Sequence, residues 1–95
     1  MASSTLQLPP FLFEVDGVPV QLVESSRHEL VSGEVWHVVS VKVIYKGIHS
    51  RPFPLFVRNE RELINKLKVE ITKLKFIEHA HGIDEVKRLL GVAQR

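Results

Sequence analysis

The sequence predicts a single α+β domain in which a four-stranded antiparallel sheet, made of two hairpins, is followed by one long and one short helix packed on one face of the sheet. In the first half of the chain, apolar and β-branched runs are separated by the turn dipeptides Asp16-Gly17 and Lys46-Gly47, as in consecutive hairpins. From Asn59 onward, apolar residues recur every three or four positions, which is the helical period. The 95 residues suit one domain, which we expect over residues 11–95 behind a flexible leader at 1–10.

The first hairpin follows from its turn. Phe11–Val15 and Val18–Val23 flank Asp16-Gly17, a dipeptide that supplies positive φ for a two-residue type I′ turn. Pro19 cannot donate to a ladder, so its strand is expected at an edge or with the missing N–H turned outward. Pairing Val15 with Val18 predicts a core face that consists of Phe11, Phe13, Val15, Val18, Val20 and Leu22.

Residues 24–33 are predicted to be a loop because the segment is polar and carries no strand pattern. Ser26 and Glu29 have the spacing of a capping box, so a short helical turn is the alternative. Ser32-Gly33 then turns the chain into the next strand.

The second hairpin joins the longest strand pattern to an interrupted return strand. Val35–Tyr45 is dominated by β-branched residues, and Lys46-Gly47 follows as a tight turn. Ile48–Val57 returns with Pro52 and Pro54, whose even spacing puts both missing donors on one side. The return strand is therefore expected at an edge of the sheet.

The long helix is predicted to begin at Asn59, a good N-cap, with Glu62 completing a capping box. Its core stripe consists of Leu63, Ile64, Leu67, Ile71, Leu74 and Ile77. Gly82 is expected to end it, and Asp84 to cap a second helix that closes at Gly91. The inner side of that short helix is predicted to consist of Ile83, Val86, Leu89 and Leu90.

The net charge of +2 conceals an uneven distribution. Residues 1–34 carry one base and five acids, residues 35–59 carry four bases and no acid, and residues 60–95 carry eight bases and six acids. The base-only block also contains the aromatic residues Trp36, Tyr45, Phe53 and Phe56. This composition is typical of a surface that binds nucleic acid, and a solvated sheet face with ordinary lysines is the alternative.

Alternation along the second hairpin gathers these residues on one outward face. If Tyr45 pairs with Ile48 across a two-residue turn, Phe53 lies opposite Ser40 and Leu55 opposite Val38. A bulge at Gly47 would instead shift the return strand by one residue and bring Phe56 outward. The predicted face consists of Trp36, Val38, Lys42, Ile44, Lys46, His49, Arg51, Phe53 and Leu55.

We interpret this face as a binding surface for single-stranded DNA or RNA. Trp36 and Phe53 are the candidates for base stacking, and the cations of the face are the candidates for phosphate contacts. Lys68 and Lys75, on one flank of the long helix, would extend the path of a bound strand. The structural alternatives are that Trp36 closes the end of the sheet and that Phe53 lies at the rim of the core.

Val69, Phe76 and Ala80 form a second apolar patch on the long helix, opposite its core stripe. An apolar patch outside the core suggests a subunit contact in a homodimer or homotetramer. The alternative is that the final helix folds back over Phe76.

Several classes of protein find no support in the sequence. There is no cysteine, and no phosphate loop or hydrolase motif occurs. His79 and His81 point about 200° apart on a helix and cannot share a metal ion. No apolar run could span a bilayer, and residues 1–10 lack the features of a signal peptide. We therefore expect a cytoplasmic protein that has no enzymatic activity, binds no cofactor or metal, and does not associate with a membrane.

The Trp36–Tyr45 strand, the Arg51-Pro52-Phe53-Pro54 return and the single basic helix after Asn59 together resemble a known family. The chain is similar to the archaeal single-stranded DNA-binding proteins called ThermoDBP and the ThermoDBP-related proteins, over residues 11–90. The resemblance implies a four-stranded antiparallel sheet packed against helices, a cleft with apolar and basic walls that binds single strands, and a dimer or tetramer. The absence of cysteine and the low content of Asn and Gln agree with a thermophilic source.

Some members of that family carry a C-terminal leucine zipper. No heptad run follows Ile77 here, so we expect any oligomer to use the domain itself. The leading hypothesis is thus sequence-tolerant binding of single-stranded DNA or RNA by an oligomer. The alternative is a protein-interaction or assembly module that uses the same surface.

Overall fold

The computed structural model describes residues 11–91 and has the predicted α+β architecture. Its elements are β1 (Phe11–Val15), β2 (Val18–Glu29), β3 (Val35–Tyr45), β4 (Ile48–His49), β5 (Phe53–Val57), α1 (Glu60–His81) and α2 (Ile83–Leu90). The antiparallel sheet has the order β1-β2-β3, and both β4 and β5 pair with the far side of β3. The predicted leader at residues 1–10 lies outside the described residues.

The first hairpin is confirmed in turn and register. Val15 pairs with Val18, and the turn residues Asp16 and Gly17 have φ of 52° and 80°. Pro19 lies opposite Glu14 on an internal strand, and the β2–β3 ladder begins only at the next residue. The missing N–H of Pro19 therefore costs no hydrogen bond in either ladder.

The prediction of a loop at residues 24–33 is wrong over residues 24–29, because β2 continues to Glu29. This polar segment pairs with β3 from Ser40 back to Val35, after a bulge between Leu22 and Glu24. Pairing with a strongly β-forming strand overrides the weak propensity of the polar segment. The true turn is shorter, with the Leu30 N–H bonded to the Glu34 carbonyl at 2.7 Å.

The predicted register of the return strand is also wrong beyond Ser50. Tyr45 pairs with Ile48 as predicted, and the Ser50 N–H bonds to the Val43 carbonyl at 2.8 Å. One extra residue then separates β4 from β5, so Phe53 lies opposite Val41 and Leu55 opposite Val39. A shift of one residue moves every side chain of β5 to the other face of the sheet.

The extra residue is accommodated by contacts of the β4–β5 connection. The Ser50 hydroxyl accepts a hydrogen bond from the Val43 N–H and donates one to the Arg51 carbonyl. The Arg51 N–H bonds to the Leu90 carbonyl of α2 at 3.1 Å. The backbone groups that leave the ladder are therefore satisfied by a side chain and by α2.

The core lies between one face of the sheet and the two helices. Leu67 and Ile71 of α1 and Val86 of α2 are fully buried against the sheet. The valines of β3 at alternate positions from Val39 to Val43 form the facing layer. The stripe predicted on α1 is confirmed, with Ile64 and Ile77 partly buried at its margins.

The observed ends of the two helices agree in part with those predicted from the sequence. The Asn59 side chain accepts a hydrogen bond from the Glu62 N–H at 2.9 Å, and Gly82 ends α1 with φ of 93°. The Glu62 carboxylate accepts from the Arg58 N–H, one residue before the position that a capping box requires. The prediction that Asp84 caps α2 is wrong, because α2 begins at Ile83 and Asp84 lies inside its first turn.

A candidate cleft between the sheet edge and the helices

The structure divides the predicted binding face between the two sides of the sheet. Trp36, Lys42, Ile44 and His49 lie on the outer side, away from the helices, as predicted. Phe53 and Leu55 lie on the helix side, because they pair with the inward-facing residues Val41 and Val39. The outward placement predicted for Phe53 and Leu55 is therefore wrong.

The two cations nearest the predicted turn are also directed toward the helices. The Lys46 ammonium lies 2.8 Å from a Glu78 carboxylate oxygen on α1 and 5.9 Å from the centre of the Tyr45 ring. Arg51 donates from Nε to the Gly91 carbonyl at 3.2 Å, at the end of α2. Neither side chain lies on the outer face where the sequence placed it.

Tyr45 and Glu78 form the buried part of the same contact. The Tyr45 hydroxyl donates to Glu78 at 2.7 Å. Burial, together with this hydrogen bond and the charge of the carboxylate, raises the pKa of Tyr45 to about 12. The hydrogen bonds from Lys46 and Tyr45 lower the pKa of Glu78 below its usual range. This pair fixes α1 to the end of the second hairpin.

Phe53, Leu55 and Arg51 meet in a cleft of about 920 Å³ on the helix side. The cleft lies between the β4–β5 connection, α1 and α2. Its wall consists of Val43, Ser50, Arg51, Pro52, Phe53, Pro54 and Leu55 from the sheet, Glu70, Lys73, Leu74 and Ile77 from α1, and Arg88, Leu89, Leu90 and Gly91 from α2.

The floor of the cleft is apolar and partly exposed. Phe53 and Leu55 are partly buried against the core, with Ile77 of α1 across from them. Leu89 was predicted to face inward, but it is 50% exposed and lies at the cleft wall. An aromatic ring with one accessible side can pack against a flat ligand group.

Three cations and one acid lie in the wall of this cleft. The cations are Arg51, Lys73 and Arg88, and the acid is Glu70. Lys73 lies 3.3 Å from Glu70, and Arg88 Nε donates to Glu85 at 3.2 Å. The hydrogen bonds from Arg88 lower the pKa of Glu85, which therefore stays ionised. Exposed ion pairs of this kind contribute little to stability, so a phosphate can replace the carboxylate.

Gly91 shapes the end of the cleft. It follows α2 in the left-handed region, with φ of 82°, and its N–H bonds back to the carbonyls of Lys87 and Arg88. A Cβ atom at this position would lie 3.0 Å from Arg51 Cδ. The absence of a side chain lets Arg51 pack over the helix end and reach the Gly91 carbonyl.

The outer face carries a separate apolar patch. We call it the outer patch, and it consists of His28, Leu30, Trp36, Val38 and Phe56. Phe56 is 56% exposed, which is the outward position foreseen for a register shifted by one residue. The Arg58 guanidinium lies 5.2 Å from the Trp36 ring and bonds to Glu62, while Trp36 Nε1 donates to Glu34 at 3.3 Å.

The remaining predicted residues lie on exposed surfaces of α1. Lys68 and Lys75 do not line the cleft, and Lys75 instead lies beside the two hairpin turns. Val69, Phe76 and Ala80 are exposed, as a subunit contact would require. Phe76 is 67% exposed, so α2 does not fold over it.

Lys73 and Arg88 are cleft residues that the sequence did not single out as binding residues. The helical period places Lys73 on the flank of α1 opposite Lys68 and Lys75, but it does not show which flank meets β5. No sequence pattern marked Arg88 as a binding residue, because α2 is short and its packing depends on the β4–β5 connection.

Residues 11–91 contain no group of three or more His, Cys, Asp or Glu side chains placed to hold a metal ion. None of the helices within this range is long and apolar enough to cross a bilayer. No protein-family model, curated protein or solved structure matches the chain.

Proposed function

We propose that the protein binds single-stranded nucleic acid in the cleft between β5, α1 and α2. The observation that carries the proposal is the combination, in one cleft of about 920 Å³, of a partly exposed aromatic ring with three cations. Phe53 supplies the ring, and Arg51, Lys73 and Arg88 supply the charge. Such a combination is what a strand of stackable bases and regularly spaced phosphates requires.

Phe53 is positioned to contact a base. A base that stacks on an aromatic ring gains about 1–3 kcal/mol, and every base has a face that can do so. Pro52 and Pro54 are the chain neighbours of Phe53 and also line the cleft, and neither carries an N–H that would need a partner. The cleft therefore offers stacking with little dependence on base identity, on either DNA or RNA.

The cations at the rim are positioned to contact phosphates. Lys73 on α1 and Arg88 on α2 stand on the two helical walls, and Arg51 lies at the sheet wall. Each phosphate contact releases counterions, so affinity should fall as salt is added. The lone acid of the cleft wall, Glu70, is already opposed by Lys73 at 3.3 Å.

The outer face supports this function less well than the cleft. Of the cations predicted there, Lys46 contacts Glu78 and Arg51 contacts Gly91, which leaves Lys42. The β1 and β2 strands beside it contribute Glu14 and Glu24 to the same face. Carboxylates along the path of a polyanion would repel it.

We propose a cytoplasmic protein that acts as a homodimer or homotetramer and has no enzymatic activity. The resemblance to the ThermoDBP family supports both the choice of a single strand as ligand and the expectation of an oligomer.

The test is a titration of the full chain with a labelled oligo-dT, the matching oligo-U and a duplex, at about 50 mM and about 200 mM salt. We expect the single strands to bind more tightly than the duplex and to lose affinity at the higher salt. Fluorescence of Trp36, the single tryptophan, should change little, because Trp36 lies on the opposite side of the sheet from the cleft. Absence of binding at low salt would refute the function, and strong Trp36 quenching would move the site to the outer patch.

A protein-interaction module is the second candidate, and the outer patch is the observation that favours it. Trp36, Val38 and Phe56 expose contiguous apolar surface that no element covers within residues 11–91. Contiguous exposed apolar surface commonly marks a docking site. In that case Trp36 fluorescence should respond to a partner protein, and the interaction should be insensitive to salt.

A further inference from the structure

Among residues 11–91, no strand pairs with the edge of β2 opposite β3 beyond Leu22. β1 pairs with β2 only from Val18 to Leu22, whereas β2 continues to Glu29. Within residues 11–91, the segment Glu24–Glu29 is paired on one side only, with β3, and Val23 lies at the bulge that precedes it. We call this side the β2 edge. An unpaired edge presents a row of N–H and C=O groups that can template another strand.

The hydrogen-bond phase of the sheet shows which groups face the β2 edge. The Leu30 N–H bonds to the Glu34 carbonyl, which makes these two residues a hydrogen-bonded pair. Hydrogen-bonded pairs recur at every second residue of an antiparallel strand, so His28, Ser26 and Glu24 are the residues of β2 bonded to β3. On the far side of β3, the Ser50 N–H bonds to the Val43 carbonyl. This bond independently gives the same alternation of hydrogen-bonded residues along the strands. The backbone groups of Ser25, Arg27 and Glu29 therefore point to the open side.

We infer that the β2 edge is the interface between two copies of this chain, paired antiparallel around a two-fold axis at Ser26. In a continuous sheet, two residues that pair across strands point to the same face, whereas successive residues of one strand point to opposite faces. The two-fold axis must therefore lie at a residue that pairs with its own copy, not between two successive residues. Centring on Ser26 places Glu24 opposite His28 of the second copy, and Ser25 opposite Arg27 of the second copy. This inference does not depend on the proposed nucleic-acid binding.

The charges along the β2 edge favour this centre over its neighbours. Centring on Arg27 would place two guanidinium groups directly opposite each other, which is destabilising. Centring on Ser25 would leave Glu24 opposite Ser26 and without an ionisable partner. With Ser26 at the centre, Glu24 and His28 form a carboxylate–imidazole pair twice, once on each side of the axis.

The side chains are placed for these contacts. Glu24 and His28 both lie on the outer face, where they oppose Ser40 and Trp36 of β3. The His28 ring bonds to the Ser26 hydroxyl at 3.0 Å, which holds it over the strand. The backbone groups of Ser25 and Arg27 supply about four hydrogen bonds across the axis.

The test is the mass of the full chain by sedimentation velocity over a range of concentrations. We expect the wild type to have a mass in solution of about twice the 10.9 kDa of one chain. Ser25→Pro removes an N–H that points to the β2 edge and is not used in the β2–β3 ladder, so it should give a monomer. Ser25→Ala keeps that N–H and should remain a dimer.

A second pair of variants tests the register without altering the backbone. His28→Glu places two carboxylates opposite each other and should weaken the dimer about tenfold. Adding Glu24→Lys to His28→Glu restores opposite charges and should restore the dimer. These variants remain informative if Ser25→Pro prevents folding.

Three results would overturn the inference: a wild type that is monomeric at every concentration, a dimer that survives both Ser25→Pro and His28→Glu, or a dimer lost in Phe76→Glu but unaffected by the β2 edge variants. The last result would assign the interface to the α1 patch. Because β2 and β5 lie on opposite sides of β3, nucleic-acid binding can fail or succeed independently of these outcomes.

Discussion

Phe53 lies opposite Val41 in the β3–β5 ladder, which turns its side chain toward α1 and α2 rather than away from them. This pairing depends on the one extra residue between Ser50 and Phe53. It also brings the Arg51 backbone to the end of α2, where its N–H bonds to Leu90 at 3.1 Å. The local irregularity therefore builds the cleft and closes one end of it at the same time.

Removing a cation from the cleft should change the salt dependence of binding. For single strands, each phosphate contact contributes about 0.7 to the slope of log affinity against log salt. Arg88→Gln should reduce the magnitude of that slope by about 0.7, measured by anisotropy with oligo-dT. Lys68→Gln removes one positive charge from α1 at a position that does not line the cleft, and it is the matched control. Equal slopes in Arg88→Gln and the wild type would argue against phosphate contacts at this wall.

Tyr45, the single tyrosine, should ionise at a higher pH than free tyrosine. Burial and the hydrogen bond to Glu78 raise the pKa of Tyr45 from 10.0 to about 12. An absorbance titration at alkaline pH reports this group alone, because the chain has one Tyr. Glu78→Gln should bring the midpoint closer to that of free tyrosine without reaching it, because burial is the larger cause.

The same pKa has a consequence for stability. The folded-state pKa of Tyr45 is above the unfolded value, so the contribution of this group to the free energy of unfolding is complete below pH 10. It is lost progressively as pH rises from about 10 toward about 12. Urea unfolding at several pH values should show this loss, and a Tyr45→Phe variant should show a smaller one. Identical pH dependence in the two proteins would contradict the assigned environment.

The first hairpin and the long helix could be predicted because their determinants are local. Asp16-Gly17 fixes a turn, and Val15 and Val18 then pair without reference to the rest of the chain. Asn59 and the apolar period of α1 act over one or two helical turns. These elements therefore appear in the structure with the predicted faces.

The polar end of β2 and the register of β5 depend on contacts that are distant in sequence. Glu24–Glu29 forms a strand only because β3 offers a partner. The shift before Phe53 depends on the bond between Arg51 and Leu90, which are far apart in the chain. Arg51, Phe53 and Leu55 were thus predicted to share one surface and do line one cleft, but the face on which they meet and the presence of Lys73 and Arg88 beside them required the structure.

Gly91→Ala should destabilise the protein and distort the cleft. The φ of 82° costs an alanine about 1–2 kcal/mol. The added Cβ would in addition lie 3.0 Å from Arg51 Cδ and push that side chain away from the Gly91 carbonyl. Gly33→Ala is the control, because Gly33 has φ of 94° but open space around it. Chemical denaturation should show a larger loss for Gly91→Ala than for Gly33→Ala.

The most direct test of the cleft compares two phenylalanines of β5. Phe53→Leu and Phe56→Leu each replace an aromatic ring by an aliphatic side chain, one in the cleft and the other in the outer patch. We predict that Phe53→Leu weakens oligo-dT binding by about tenfold, in line with the loss of one stacked base, while Phe56→Leu binds like the wild type. Loss of binding in Phe56→Leu with Phe53→Leu unchanged would contradict the cleft and place the nucleic acid on the outer face.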